Sequence, residues 1–140
     1  MSLYLDASFL VALLTEESLS SRAEAFVGTV SALLIVSDFA AAEFASSIAR
    51  RVRNRETQVN EARIILAGFD AWCSSRSQPA EISPVDIAVA TASVRRLDLP
   101  LRTPDAIHLA IAQRLGASLV TFDRTMARAA RTLGIAVADA

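Results

Sequence analysis

The sequence predicts an α/β domain with a mostly parallel central sheet and helices on both faces. Short apolar runs alternate with stretches whose apolar residues recur at helical spacing, the pattern of successive βα units. The strand candidates are apolar along nearly their whole length, as strands covered on both faces must be. Of 140 residues, 53% are hydrophobic and 21% charged; this supplies a core of ordinary single-domain size and excludes a disordered chain.

Leu3-Tyr4-Leu5 reads as the first strand, ended by Asp6-Ala7-Ser8. Phe9, Leu10, Leu13 and Leu14 then repeat at helical spacing, and Ser18 to Gly28 forms a second amphipathic stretch. Leu33 to Ser37 is the second strand, with Ser37 and Asp38 as a capping pair for a long helix from about Phe39 to Arg53. Thr57 opens a helix reaching about Ser75, and the polar run Ser74 to Pro79 reads as a surface loop. Ser83-Pro84-Val85-Asp86 carries an N-cap, a first-position proline and a first-turn acid, starting a helix to about Leu97. Thr103-Pro104-Asp105 repeats that arrangement before a helix over Ala106 to Leu115, closed by Gly116. A strand over Ser118 to Phe122 ends at Asp123, and a helix over Thr125 to Leu133 precedes a last strand at Ile135 to Val137.

The charges exclude several classes. Fourteen cations against 15 acids give a net charge of −1, so bulk attraction to nucleic acid is excluded and any such contact must be local. Every cation is arginine, which removes chemistry that needs a lysine base, a Schiff base or a P-loop. One cysteine, Cys73, and one histidine, His108, cannot build a disulfide framework or a structural zinc site and suit a reducing cytosol. No apolar run is long enough for a membrane helix, so the chain is expected to be cytoplasmic, with 1–140 as one domain.

In open α/β sheets ligands bind beyond the carboxyl ends of the strands. Asp6 and Asp123 follow strands, Asp105 lies in a first helical turn, and Glu43 lies about one turn into the helix after the second strand. Singly, Asp6 and Asp123 suit turns, Asp105 favours a helix start and Glu43 is an ordinary helix residue. Taken together, four acids from four segments can meet at one sheet edge, where they would repel unless a divalent cation held them. Hard oxygen donors favour Mg²⁺ or Mn²⁺ over zinc.

The runs Leu5-Asp6-Ala7-Ser8, Ala42-Glu43-Phe44, Thr103-Pro104-Asp105-Ala106-Ile107-His108-Leu109-Ala110 and Val120-Thr121-Phe122-Asp123 resemble the PIN-domain ribonucleases, especially the VapC toxins of bacterial toxin–antitoxin pairs. The resemblance covers essentially the whole chain. It implies a single PIN-like domain, with Asp6, Glu43, Asp105 and Asp123 as catalytic, metal-binding acids around Mg²⁺ or Mn²⁺ and Ser8 as the small hydroxyl beside the first. It further implies an endoribonuclease that cleaves RNA with metal-activated water, and a VapB-like antitoxin that lays apolar side chains into a groove and sets an arginine among the acids. A homodimer is the accompanying expectation, and a catalytically inactive PIN-like binding module is the alternative. Receiver domains and aspartyl phosphatases share a strand-end acid site but need the lysine that this chain lacks.

His108 lies one turn after Asp105 and reads as a helix-surface or core-edge residue ahead of a donor facing the site, and is left out of catalysis. Thr121 is a minor candidate for bonding within the acid cluster. Arg50, Arg51, Arg53 and Arg55 read as a solvated helix end ahead of a phosphate patch. Asp86 reads as a first-turn charge, Asp38 as an N-cap, and Trp72 with Cys73 as packing. Mean hydropathy is +0.39, and Phe26, Val27, Ile64, Ile65 and Phe69 exceed what one small core needs, which points to a covered surface.

Overall fold

The computed structural model describes residues 1–140. In chain order the elements are β1 (Ser2–Leu5), α1 (Ala7–Leu14), α2 (Ser20–Thr29), β2 (Leu33–Ser37), α3 (Asp38–Arg53), α4 (Val59–Arg76), β3 (Gln78–Ala80), α5 (Pro84–Arg95), α6 (Thr103–Arg114), β4 (Ser118–Val120) and α7 (Arg124–Thr132). Every strand pair is parallel and the sheet order is β3-β2-β1-β4. The chain therefore builds outward from β1 to β3, then crosses back through α5 and α6 to set β4 against the other side of β1.

Side chains alternate across a strand, so uninterrupted apolar strands feed two cores. Leu3, Leu5, Leu34, Val36 and Val120 join a core of 16 buried residues with α1 to α4. Tyr4, Ile35 and Leu119 face the other way, into a core of 15 with α5, α6 and α7. Phe44 of α3 stacks on Phe69 of α4, ring centroids 4.3 Å apart, and fixes that helix pair. Local capping starts the helices that matter most here: the Asp6 side chain accepts the Phe9 N–H at 2.9 Å, Ser37 the Ala40 N–H at 3.0 Å and Asp123 the Met126 N–H at 3.0 Å. Each satisfies an amide left without a partner in the first turn.

The structure corrects several expectations. The stretch Ser74 to Pro79 is not a loop: α4 runs to Arg76, and Gln78–Ala80 is the edge strand β3, with Pro79 in register with Val36. An edge tolerates proline because its missing N–H costs no ladder bond on the open side. The expected last strand reduces to a single parallel bridge between Val137 and Leu119. The predicted fourth strand is also shorter, because Thr121 and Phe122 leave the ladder after Val120. Ser37, rather than Asp38, is the N-cap of α3; Asp38 instead accepts the Ile82 N–H at 2.9 Å and ties α3 to the segment after β3. Val27 and Phe69 belong to the first core, and Phe26 and Ile65 pack against it. Of the five residues expected to form a covered surface only Ile64 stands exposed, while α5 presents Val85, Ile87 and Val89. No helix is long and apolar enough to cross a membrane.

Candidate active site

The reversal of direction at β1 creates a crevice beyond the carboxyl ends of β1 and β4, where a doubly wound sheet binds its ligand. An open cavity of about 430 Å³ lies there, and Asp6, Glu43, Asp105 and Asp123 all line it. They arrive by four routes: the turn after β1, the second turn of α3, the first turn of α6 and the turn after β4.

Asp6 is only 2% exposed, yet no guanidinium approaches it. Neutral donors hold it instead. Ser8 donates to its two oxygens at 2.8 and 3.0 Å, the Phe9 N–H to Oδ1 at 2.9 Å and the Thr121 hydroxyl to Oδ2 at 2.5 Å. Burial pushes its carboxyl above the ordinary aspartate range, against the pull of Thr121, the Phe9 amide, His108 and Ser8. Thr121 can reach Asp6 because the chain has left the β4 ladder, and its oxygen also accepts the Asp123 N–H at 3.0 Å. One threonine thus links the first acid to the last.

Glu43 has about a third of its side chain exposed and meets the Nε2 of His108. The lysine-free chain supplies its partner from α6, 65 residues away. His108 is 3% exposed, and its Nδ1 lies 2.7 Å from the Tyr4 hydroxyl, which lies 2.7 Å from Ser37 Oγ. Burial lifts the Tyr4 phenol well above its ordinary value, against its bond with Ser37, and keeps it protonated. The two ring nitrogens of His108 thus tie the Tyr4–Ser37 pair on one side to Glu43 on the other. His108 is a core residue, as the core-edge reading expects, and it also lines the cavity, because residues at i and i+3 share a helix face and Asp105 opens that face.

Asp105 accepts the Arg102 backbone N–H at 3.2 Å and the Arg102 Nε at 3.4 Å. Arg102 and Arg50 line the cavity; Arg50 sits exposed in the last turn of α3, the solvated helix end expected of it, and also faces this opening, while Arg51 pairs with Glu17 at 3.5 Å. No three His, Cys, Asp or Glu side chains converge into a ready-made metal cage. The cavity nevertheless carries several carboxylates and one imidazole, already engaged with Glu43, and no thiol, and Asp6 is a buried acid with no cationic side chain paired to it. That donor chemistry fits a hard divalent cation, and Asp6, Glu43, Asp105 and Asp123 are the carboxylates that would hold it.

Known proteins share this architecture. The PIN domain family matches residues 3–132. Ribonuclease VapC46 of Mycobacterium tuberculosis is 36% identical over 104 residues, 65% of this chain and 80% of that protein. The solved structure of Mycobacterium tuberculosis VapC20, described as a sarcin–ricin loop cleaving toxin, superposes with a TM-score of 0.74 at 18% identity, covering 91% of this chain and 94% of that one. VapBC2 of Rickettsia felis, solved bound to a DNA fragment from its promoter, gives 0.70 at 14% identity over 99% and 98%. At those identities the two structures speak for the fold alone. The family match spans nearly the whole chain and the 36% relative covers most of its own length; on these grounds the chain belongs to the PIN-domain family and is VapC-like within it.

Proposed function

We propose that the protein is a Mg²⁺- or Mn²⁺-dependent endoribonuclease, the toxin of a toxin–antitoxin pair. The observation that carries this reading is the delivery of four carboxylates from four separate segments to one cavity at the carboxyl ends of the central strands. When bound, a divalent cation supplies Lewis acidity toward water and the phosphate oxygens. The chain's own residues do the rest. Ser8, Thr121 and the Phe9 amide fix both oxygens of Asp6, so its orientation does not depend on solvent. His108, braced by Tyr4 and Ser37, fixes Glu43. Arg50 and Arg102 at the cavity wall offer guanidinium forks to a phosphodiester. The water oxygen would attack phosphorus in line, and the P–O bond to the departing nucleotide would break.

A VapB-like antitoxin and a second copy of the chain are the partners this reading carries. Support comes from the VapC name of the 36% relative and from a fold neighbour solved as VapBC. The exposed apolar residues of α5 are the surface available to a second copy.

The test is cleavage of RNA by the purified chain. Turnover should require millimolar-range Mg²⁺ or Mn²⁺, stop in EDTA and fail to return with Zn²⁺. Expression of the chain alone should arrest growth, and co-expression with the neighbouring small gene should relieve it. Full turnover in EDTA would remove the metal mechanism, and a folded chain inert toward RNA under every cation would leave a binding module.

A further inference from the structure

We propose that the groove between α2, α7 and the C-terminal segment is the track along which the RNA backbone continues from the acidic cavity; this deepens the nuclease reading and rests on it. The groove encloses about 600 Å³, and Arg22, Arg124, Arg128 and Arg131 line it. Asp123 lines both this groove and the acidic cavity, so the two adjoin at that side chain. In a chain of net charge −1 with 14 arginines, four of them on one groove against Asp123 and Asp139 form a local basic patch.

Folding does not account for Arg124 and Arg128. Arg124, Arg128 and Arg131 are exposed and follow one another by four and three residues, which sets them in a row on one face of α7. The row is about 10 Å long at the helical rise, enough for more than one phosphate of a strand. Arg124 occupies the first helical position, where the helix dipole disfavours a cation. Neither Arg124 nor Arg128 has an acidic partner; Arg131 reaches Asp139 at 3.7 Å, an exposed pair. Arg22 closes the groove from α2. Its guanidinium lies 5.3 Å over the Phe122 ring, which is itself packed 5.2 Å from Phe9, and it donates to the Ala140 carbonyl. That stacking orients Arg22 before any ligand arrives. Planar forks in a row, open to solvent and adjoining the cleavage cavity at Asp123, match the phosphates of a single strand whose scissile bond lies there. An acidic peptide would meet the same charges without using that adjacency.

The experiment titrates a fluorescent single-stranded oligouridylate in chelator across a salt series. It compares wild type, the pair Arg124→Ala/Arg128→Ala, and the pair Arg63→Ala/Arg76→Ala, which removes the same charge from α4. The groove residues are exposed and alanine favours helix, so the first pair folds. Loss of two phosphate contacts should lower the log–log salt slope by about 1.4, at roughly 0.7 per single-strand phosphate. The control pair should keep the wild-type slope, and cleavage by the groove pair should show a raised KM with kcat preserved. A slope equal to the control overturns the proposal. So does loss of affinity for oligoglutamate with the RNA slope intact, which assigns the groove to a peptide. Wild-type cleavage, assayed alongside, separates the two readings. Cleavage with an unchanged slope sinks the groove alone; a lowered slope without cleavage under any cation sinks the nuclease reading and leaves the groove as an RNA track.

Discussion

Asp6 and Asp86 are the two buried aspartates of the molecule, 2% and 1% exposed, and they are satisfied in opposite ways. Asp86, at the start of α5, is closed by the Arg114 fork from the end of α6, at 2.8 and 2.9 Å, and accepts the Ser83 N–H at 2.8 Å. Burial works to raise its carboxyl, but Arg114 and the Ser83 amide hold it below the ordinary range. Asp6 receives four hydrogen bonds, all from neutral donors, against three for Asp86, and burial still prevails. A buried acid neutralised by an arginine has completed its chemistry within the fold and braces two helices. One held only by hydroxyls and an amide keeps a charge that an incoming cation can offset.

The sharpest way to break this comparison is the same substitution at both positions. Asp6→Asn should lower cleavage by more than the roughly 10²-fold that losing an outer partner of a metal ligand can cost. Its melting temperature in chelator should equal or exceed that of wild type, because a poorly neutralised buried charge is gone. Near-normal turnover by this variant would detach Asp6 from the chemistry.

A smaller loss, roughly 10- to 100-fold in kcat, is expected for His108→Ala, which frees Glu43 from its brace. RNA affinity measured in chelator should hold, since His108 offers nothing to phosphate. An equal fall in affinity and turnover would make His108 a packing residue only.

Asp86→Asn should do the reverse of Asp6→Asn: unchanged turnover at low temperature, with stability down by about 2 kcal/mol as a buried charge-assisted pair is lost. Arg114 is a third exposed and can rehydrate, which keeps the cost below that of a fully buried pair. Denaturant unfolding with an unchanged midpoint would show that the pair contributes nothing.

The smallest effect is in pH, where the two acids carry opposite signs. The folded-state value of Asp86 is depressed, so its stabilisation is complete above the unfolded aspartate value of about 3.9 and is lost as pH falls through the folded one. Asp6 is raised, so its ionisation costs stability as pH climbs from about 3.9 toward the folded value. In chelator, Asp86→Asn should therefore flatten the acid limb of the stability curve, and Asp6→Asn should remove a decline on its upper side. Parallel curves for both variants and wild type would erase the distinction.

In the sequence Asp86 resembles not Asp6 but Asp105. Ser83-Pro84-Val85-Asp86 and Thr103-Pro104-Asp105 share one helix-start pattern, yet the first acid is sealed by Arg114 and the second lines an open cavity. The pattern reports a first-turn acid correctly in both cases, because capping is decided within four residues. What covers that acid is decided by another helix. The same limit hid the partner of Glu43, which lies 65 residues away, and the inward turn of Val27 and Phe69, which was read as surplus apolar surface.

By itself the sequence determined the alternation of strands and helices, the acids at the strand ends and helix starts, and the absence of lysine that excludes rival chemistries. All of these depend on spacing within one turn or one strand, or on composition. Only the tertiary structure decided that Pro79 sits in an edge strand, that the four acids share one cavity, that His108 braces Glu43, and that Arg124 and Arg128 stand without acidic partners beside Asp123. Those facts depend on which segments the parallel crossovers bring together. Long-range pairing follows from the burial of two whole cores at once, and no local window of residues carries it.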